Sequence, residues 1–307
     1  MGRIYKSMQE LVGNTPLVEL SRIAELPEGV KLFAKLELWN PSGSVKDRVG
    51  RYMLDEAEKK GLITPGKSTI VMPTAGNAGL GVAFAALGRG YRIIFVVPKK
   101  FSPEKQTLMK ALGGEIVSTS REGGMLEASV KADEIVKNTE NAVIIDQFKL
   151  SSNPLAHYEG TGPEIWNDLE GDIDYVVAGA GSGGTYSGVL KYLKSQKQNI
   201  TGVLVDPEGS TMGGGEHGDY DVEGIGNDFI PATMDMSLVD KVIKINDAES
   251  YEYCKKLAET EGIIAGSSSG AAVSAAVRLA KTPGVHGNIV VILPDRGDRY
   301  FSRNLYA

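Results

Sequence analysis

The 307-residue chain carries 42% apolar and 23% charged side chains, the balance of an ordinary globular protein with room for one large α/β unit or two domains of usual size. A formal net charge of −6 and a pI near 5.3 argue against nucleic acid or anionic membrane as the main partner, since either needs a positive surface. No apolar run approaches the roughly 20 residues of a membrane span, and the N-terminus lacks the apolar core of a signal peptide, so the expected location is the cytoplasm.

Along the chain, Asn40-Pro41-Ser42-Gly43 stops whatever precedes it, because the residue before proline is pushed out of the α region and glycine accepts strained dihedrals. Ser44 with Asp47 has the spacing of a capping box and opens a helix through Ala57, which puts Lys46 in the first turn. The helix dipole disfavours a cation there. Lys46 is therefore either a surface charge or a lysine that works neutral or as an imine. Short apolar runs at 69–72, 92–97, 115–118 and 142–145 then alternate with helical patterns at 77–87, 103–112 and 125–138. After Ser151-Ser152-Asn153-Pro154 starts a helix reaching Trp166, a second series follows. It has strands at 174–178, 201–205, 241–245 and 288–293, and helices at 183–193, 248–261 and 269–281. A glycine-rich excursion over 207–231 is too long for a simple connector. The fold class expected is α/β, with two parallel-sheet, helix-flanked domains at 1–148 and 149–307 and the ligand site in the cleft between them. The N-terminal segment has the option of packing on the second domain.

The single cysteine, Cys254, lies on the apolar face of a helical pattern and reads as buried; no disulfide can form within the chain. His157, His217 and His286 lack ligand spacing, so no metal is expected. The 38 glycines cluster in loops, which suggests backbone brought close to ligands. The first such loop, Pro73-Thr74-Ala75-Gly76-Asn77-Ala78-Gly79, joins a strand end to a helix start, so free N–H groups with Thr74 and Asn77 make an anion site or simply a capped turn. The second, Gly179-Ala180-Gly181-Ser182-Gly183-Gly184-Thr185, satisfies G-x-G-x-x-G with Asp206 downstream, the pattern of a dinucleotide loop. Its hydroxyls, without an accompanying lysine, suit a phosphate monoester dianion at a helix dipole. Gly266-Ser267-Ser268-Ser269-Gly270 opens a small-residue helix. Gly224-Ile225-Gly226-Asn227-Asp228 sets a carboxylate beside close-approaching backbone.

This ordered set resembles the cysteine synthase (O-acetylserine sulfhydrylase) and cystathionine β-synthase family of fold-type II pyridoxal-phosphate enzymes, related in fold to the tryptophan synthase β chain. The motifs are Gly13-Asn14-Thr15-Pro16-Leu17, Pro41-Ser42-Gly43-Ser44-Val45-Lys46-Asp47-Arg48, the loops above, and Leu293-Pro294-Asp295-Arg296-Gly297-Asp298-Arg299-Tyr300, spanning nearly the whole chain. The resemblance implies pyridoxal 5′-phosphate bound to Lys46 as an imine. Asn77 would bond the ring oxygen, Gly181, Ser182, Gly183, Gly184 and Thr185 the phosphate, and Ser268 the pyridine nitrogen. The substrate α-carboxylate would lie among Thr74, Ala75, Gly76, Asn77, Ala78 and Gln147, with Gly224 nearby. The implied activity is β-replacement through an α-aminoacrylate, O-acetylserine and sulfide giving cysteine and acetate, with Lys46 as general base. A homodimer is implied, and in some relatives a serine acetyltransferase partner. No regulatory extension is expected after residue 307.

Two departures bear on the substrate. Cysteine synthases commonly read Thr-Ser-Gly-Asn-Thr-Gly where Ala75 and Ala78 stand, and each hydrogen bond lost to a charged group weakens binding by about 1.5–3 kcal/mol. Asp228 replaces a small uncharged residue. It is either a solvated loop aspartate or a catalytic carboxylate that orients an amine-bearing thiol such as homocysteine, or activates water. The alternatives are thus cystathionine formation, or cysteine as first substrate with release of hydrogen sulfide. From other classes stand an NAD-dependent oxidoreductase using Gly179–Gly184 and a catalytically silent binding protein.

Overall fold

The computed structural model describes residues 4–74, 76–99 and 101–307. The chain divides into two compact units, Met1–Val12 with Lys46–Ser152 and Gly13–Val45 with Asn153–Ala307. Strands β1 (Leu17–Glu19) and β2 (Val30–Leu36) precede helix α1 (Lys46–Lys59). Four parallel strands follow, β3 (Thr69–Pro73), β4 (Arg92–Pro98), β5 (Glu115–Thr119) and β6 (Ala142–Ile144), interleaved with α2 (Asn77–Ala86), α3 (Pro103–Ala111) and α4 (Gly124–Asn138). They build the first unit's sheet in the order β5-β4-β3-β6. The inner strand β3 is buried from Thr69 to Met72, as a strand covered on both faces must be.

Helix α1 buries Val49, Met53, Leu54 and Ala57, one stripe of a 3.6-residue repeat. Each large side chain so buried contributes about 1.5–3 kcal/mol. Helix α2 is buried from Ala78 to Ala86, so it forms the interior of its unit. Gly50 of α1 and Gly81 of α2 let the two backbones touch. A Cβ at Gly50 would come within 3.0 Å of the Gly81 backbone, and one at Gly81 within 3.0 Å of the Lys46 carbonyl.

The second unit continues through α5 (Ser152–Ala156), a π turn (His157–Thr161), α6 (Gly162–Asp168), β7 (Tyr175–Gly179), α7 (Gly184–Gln196) and β8 (Thr201–Pro207). It ends with β9 (Lys241–Ile245), α8 (Asp247–Lys256), a second π turn, α9 (Ser267–Ala280) and β10 (Gly287–Leu293). Its sheet runs β1-β2-β10-β7-β8-β9, parallel except where β1 meets β2.

The second unit takes in residues Gly13–Val45, the N-terminal packing left open by the sequence, and its later boundary falls after Ser152 rather than at 148. Strand β2 pairs with β10 along its full length, from Val30 opposite Gly287 to Leu36 opposite Leu293. Two lysines mask β2 in the sequence. One of them, Lys35, is fully buried, donating to the Thr15 carbonyl at 2.6 Å and pairing with Glu164 at 2.9 Å. The Gly13-Asn14-Thr15 motif is structural here: the Gly13 N–H donates to Asn40 Oδ1 and the Thr15 hydroxyl to Glu37.

The C-terminal motif holds the turn before Lys46. The Val45 N–H donates to the Pro294 carbonyl at 2.8 Å, and buried Arg299 donates to the Ser42 carbonyl. Ser44 lies in a bridge to Asp295, two residues ahead of the first helical residue, so tertiary pairing occupies the position read as a cap. No helix of the described residues is long and apolar enough to cross a membrane.

Candidate active site

The phosphate-type loop follows β7 directly. Gly183 takes φ +82°, a left-handed conformation that turns the chain into α7, and no side chain caps that helix start. Its first-turn N–H groups therefore face a site with no acidic residue in the turn, a setting that favours an anion. Ser182 is buried, its hydroxyl accepting from Asn153 Nδ2 at 2.9 Å, and half-buried Thr185 contacts His157. A Cβ on Gly184 would strike Asn153, and one on Gly181 would strike the Gly224 carbonyl.

That second contact brings in the excursion. The Gly226 N–H donates to the Ala180 carbonyl at 2.8 Å, and Asn227 Nδ2 donates to the Gly181 carbonyl. Gly224 adopts φ +92°, and a Cβ there would lie 4.0 Å from Ser268 Oγ. Ser268 is buried in the first turn of α9, where neighbouring Ser267 accepts from the Glu223 N–H at 3.0 Å. Gly181, Ser182, Gly183, Gly184, Thr185, Gly224 and Ser268 thus meet in one place. Asp228 points elsewhere: its side chain is 61% exposed and pairs with exposed His217 at 2.9 Å.

In the first unit, Thr74 directly follows β3 with its side chain buried, and its hydroxyl accepts from the Gly76 N–H at 3.2 Å. Ala75 lies outside the described residues. Asn77 is the first residue of α2, half-buried, after Gly76, and no side chain caps this helix start either. Ala78 is buried, while Gln147 is half-buried beyond β6. Lys46 is the half-buried first residue of α1, and its carbonyl rests against Gly81, one turn beyond Asn77. The Gly50–Gly81 contact therefore sets the lysine and the asparagine at the mouths of two touching helices.

Four residues escaped sequence reasoning. Glycine inside a helix, which costs about 1 kcal/mol relative to alanine, was the available signal for Gly50 and Gly81. His157 showed none, being one histidine in a helical stretch. Lys105 is buried on α3 with Cδ and Nζ at 2.9 and 3.4 Å from a Cβ position on Gly76, yet it reads as an ordinary helix lysine.

Pyridoxal phosphate fits this donor set. Its phosphate dianion suits the uncapped start of α7 with the Ser182 and Thr185 hydroxyls, and a ring nitrogen suits a buried neutral hydroxyl such as Ser268. A dinucleotide fits less well. Asp206 is fully buried, paired with Lys244 at 2.5 Å and accepting the Gly213 N–H at 2.9 Å, so it is not presented to a ribose. Among the described residues no three His, Cys, Asp or Glu side chains are grouped to hold a metal ion.

Comparison with known proteins agrees. The model of the family "Pyridoxal-phosphate dependent enzyme" matches residues 8–295. An O-acetylserine dependent cystathionine beta-synthase of Bacillus subtilis is 44% identical over 303 residues, covering 99% of this chain and 98% of its own. Cysteine synthase A of Escherichia coli is 43% identical over 318 aligned positions, covering 100% of this chain and 97% of its own. The crystal structure of an O-acetylserine dependent cystathionine beta-synthase from Helicobacter pylori superposes with a TM-score of 0.94 at 40% identity, over 100% of both chains.

Proposed function

The chain belongs to the pyridoxal-phosphate dependent enzyme family, and we propose that within it the protein catalyses β-replacement on O-acetylserine, with sulfide as nucleophile, giving cysteine and acetate. The observation that carries this reading is full-length similarity to relatives named for O-acetylserine dependence and for cysteine synthesis. Bound pyridoxal phosphate supplies the electron sink that lets an amino acid lose its α-proton and a β-substituent.

The chain's residues would divide the work as follows. Lys46 Nζ holds the cofactor, then removes and returns the substrate α-proton; the positive end of α1 helps keep the freed amine unprotonated. The amides and hydroxyls of Gly181, Ser182, Gly183, Gly184 and Thr185 bind the phosphate. Asn77 fixes the ring oxygen. Ser268, a neutral hydroxyl at the ring nitrogen, leaves the ring a weaker sink than a carboxylate would, which favours loss of the β-group over transamination. Thr74, Gly76, Ala78 and Gln147 surround the substrate carboxylate, and Ala75 belongs to the same set. Gly224 lets its loop approach the reacting carbons.

A second reading keeps the first substrate and changes the nucleophile to homocysteine, giving cystathionine. The name of the Bacillus relative favours it. In this reading Asp228 acts on the second nucleophile. The protein is further proposed to be a cytoplasmic homodimer, with serine acetyltransferase as the partner to assay for.

Borohydride reduction of the yellow holoenzyme is expected to leave a pyridoxyl group on the Lys46 peptide, and none on Lys46→Ala. Turnover of O-acetylserine with sulfide and with homocysteine then ranks the nucleophiles. A protein that takes up no pyridoxal phosphate, or turns over neither pair, overturns the proposal.

A further inference from the structure

The phosphate loop leans on a buried side chain to which the proposed reaction gives no role. His157 has no exposed surface and opens the π turn His157–Thr161, a geometry that recurs at functional sites. Gly188, one turn beyond Thr185 on α7, makes room for it: a Cβ there would stand 2.7 Å from the His157 Cβ. The imidazole is thereby pressed onto the first turn of α7. Its Nε2 lies 3.1 Å from Thr185 Oγ1, and its Nδ1 lies 2.9 Å from Thr161 Oγ1.

A neutral imidazole has one donor and one acceptor nitrogen, and the Thr185 hydroxyl has one hydrogen to give. If that hydrogen goes to Nε2, the hydroxyl turns lone pairs towards the loop and repels an anion. If Nε2 carries the proton and donates to Thr185 Oγ1, the hydroxyl hydrogen is left for the anion and Nδ1 accepts from Thr161. Only the second arrangement suits a dianion at the start of α7, and a hydroxyl that accepts one hydrogen bond donates the next more strongly.

We propose that His157 is a positioning residue of the cofactor site: as its Nε2–H tautomer it fixes the Thr185 hydroxyl as a donor to the phosphate of pyridoxal phosphate. The inference rests on the reading of Gly181–Thr185 as the phosphate loop. Three hydroxyl or ring groups then form one directed chain, from Thr161 through His157 to Thr185, ending on the anion.

Two substitutions separate this role from mere packing. His157→Gln keeps an amide N–H near the Nε2 position, whereas His157→Asn places its amide near Nδ1 and withdraws the donor from Thr185. Equilibrium dialysis of each holoenzyme, followed by cofactor absorbance, gives the dissociation constant, and the ³¹P resonance reports the phosphate surroundings. The Gln variant is expected within about threefold of wild type, and the Asn variant weaker by roughly tenfold or more. The ³¹P resonance should move in the Asn variant only, and unfolding midpoints of the two variants should agree. In a Thr185→Val background, His157→Asn should weaken binding no further. If Thr185→Val leaves cofactor binding unchanged, the loop reading itself fails. If Thr185→Val weakens binding while the Asn and Gln variants behave alike, the loop reading stands and the role of His157 is overturned.

Discussion

Gly226→Ala should detach the 224–227 segment from the phosphate loop. Gly226 has φ +81°, and a methyl placed on it meets the Tyr220 hydroxyl at 2.8 Å and Pro207 Cδ and Ser210 Cβ at 3.0 Å. Two costs add. An L-residue in the left-handed region costs about 1–2 kcal/mol. Atoms of a proline ring and a buried serine cannot swing aside, so overpacking adds about 1–3 kcal/mol. The total expected loss of stability is about 2–5 kcal/mol. Gly214 supplies the control within the same excursion: φ is +86°, the residue is exposed, and nothing lies within 4 Å of its Cβ position. Gly214→Ala thus carries the backbone term alone. Urea unfolding of both variants at unchanged slope should separate them by about 1–3 kcal/mol. A functional difference should accompany it. Because Gly226 and Asn227 donate to the carbonyls of Ala180 and Gly181, Gly226→Ala should lose cofactor on dialysis and Gly214→Ala should not. A Gly226→Ala protein as stable as Gly214→Ala, or one that keeps its cofactor fully, would refute the reasoning.

Three further outcomes are expected. Asp228→Asn should slow addition of the second nucleophile more than loss of the first β-group, and more for homocysteine than for sulfide. Because Asp228 is largely exposed, the effect should be several-fold and should shrink as salt shortens the Debye length below about 8 Å; equal slowing of both half-reactions would count against a role for the carboxylate. Burial pushes the Cys254 thiol from its ordinary 9.0 up to about 12, and burial with the nearby Asp221 and Asp247 carboxylates pushes the Tyr251 hydroxyl from 10.0 to about 12. The folded protein keeps protons that the unfolded chain releases, so this stability is complete below pH 9 and lost as the pH rises to 12. The urea midpoint should fall across that window, less steeply in Cys254→Ala. Iodoacetamide should label Cys254 only as fast as the chain unfolds; labelling at the rate of a free thiol would show that the site is open.

Much of the framework was legible because its signals are local. Strand and helix periods alternate along the chain, and the starts of α1, α2, α7 and α9 carry Lys46, Asn77, the glycine loop and the serines where turn chemistry puts them. The ordered motifs identified the family, which the family match bears out. Cys254 proved buried, as its helical face indicated.

What depended on distant partners stayed hidden. Strand β2 joins the parallel part of the second sheet because β10, from the other end of the chain, lies beside it, and Lys35 is buried where Glu164 and the Thr15 carbonyl receive it. Asp206 stands at the downstream acid position of a dinucleotide pattern, but only the fold shows that Lys244 occupies it, and only the fold brings His157, beside Gly188, against Thr185. Local sequence determined where each reactive group sits along its own element, since helix starts and tight turns are set by a few neighbouring residues. Tertiary structure alone decided which hydroxyls, amides and charges face one another, because burial makes a polar group's role depend on a partner whose sequence position local physics does not constrain.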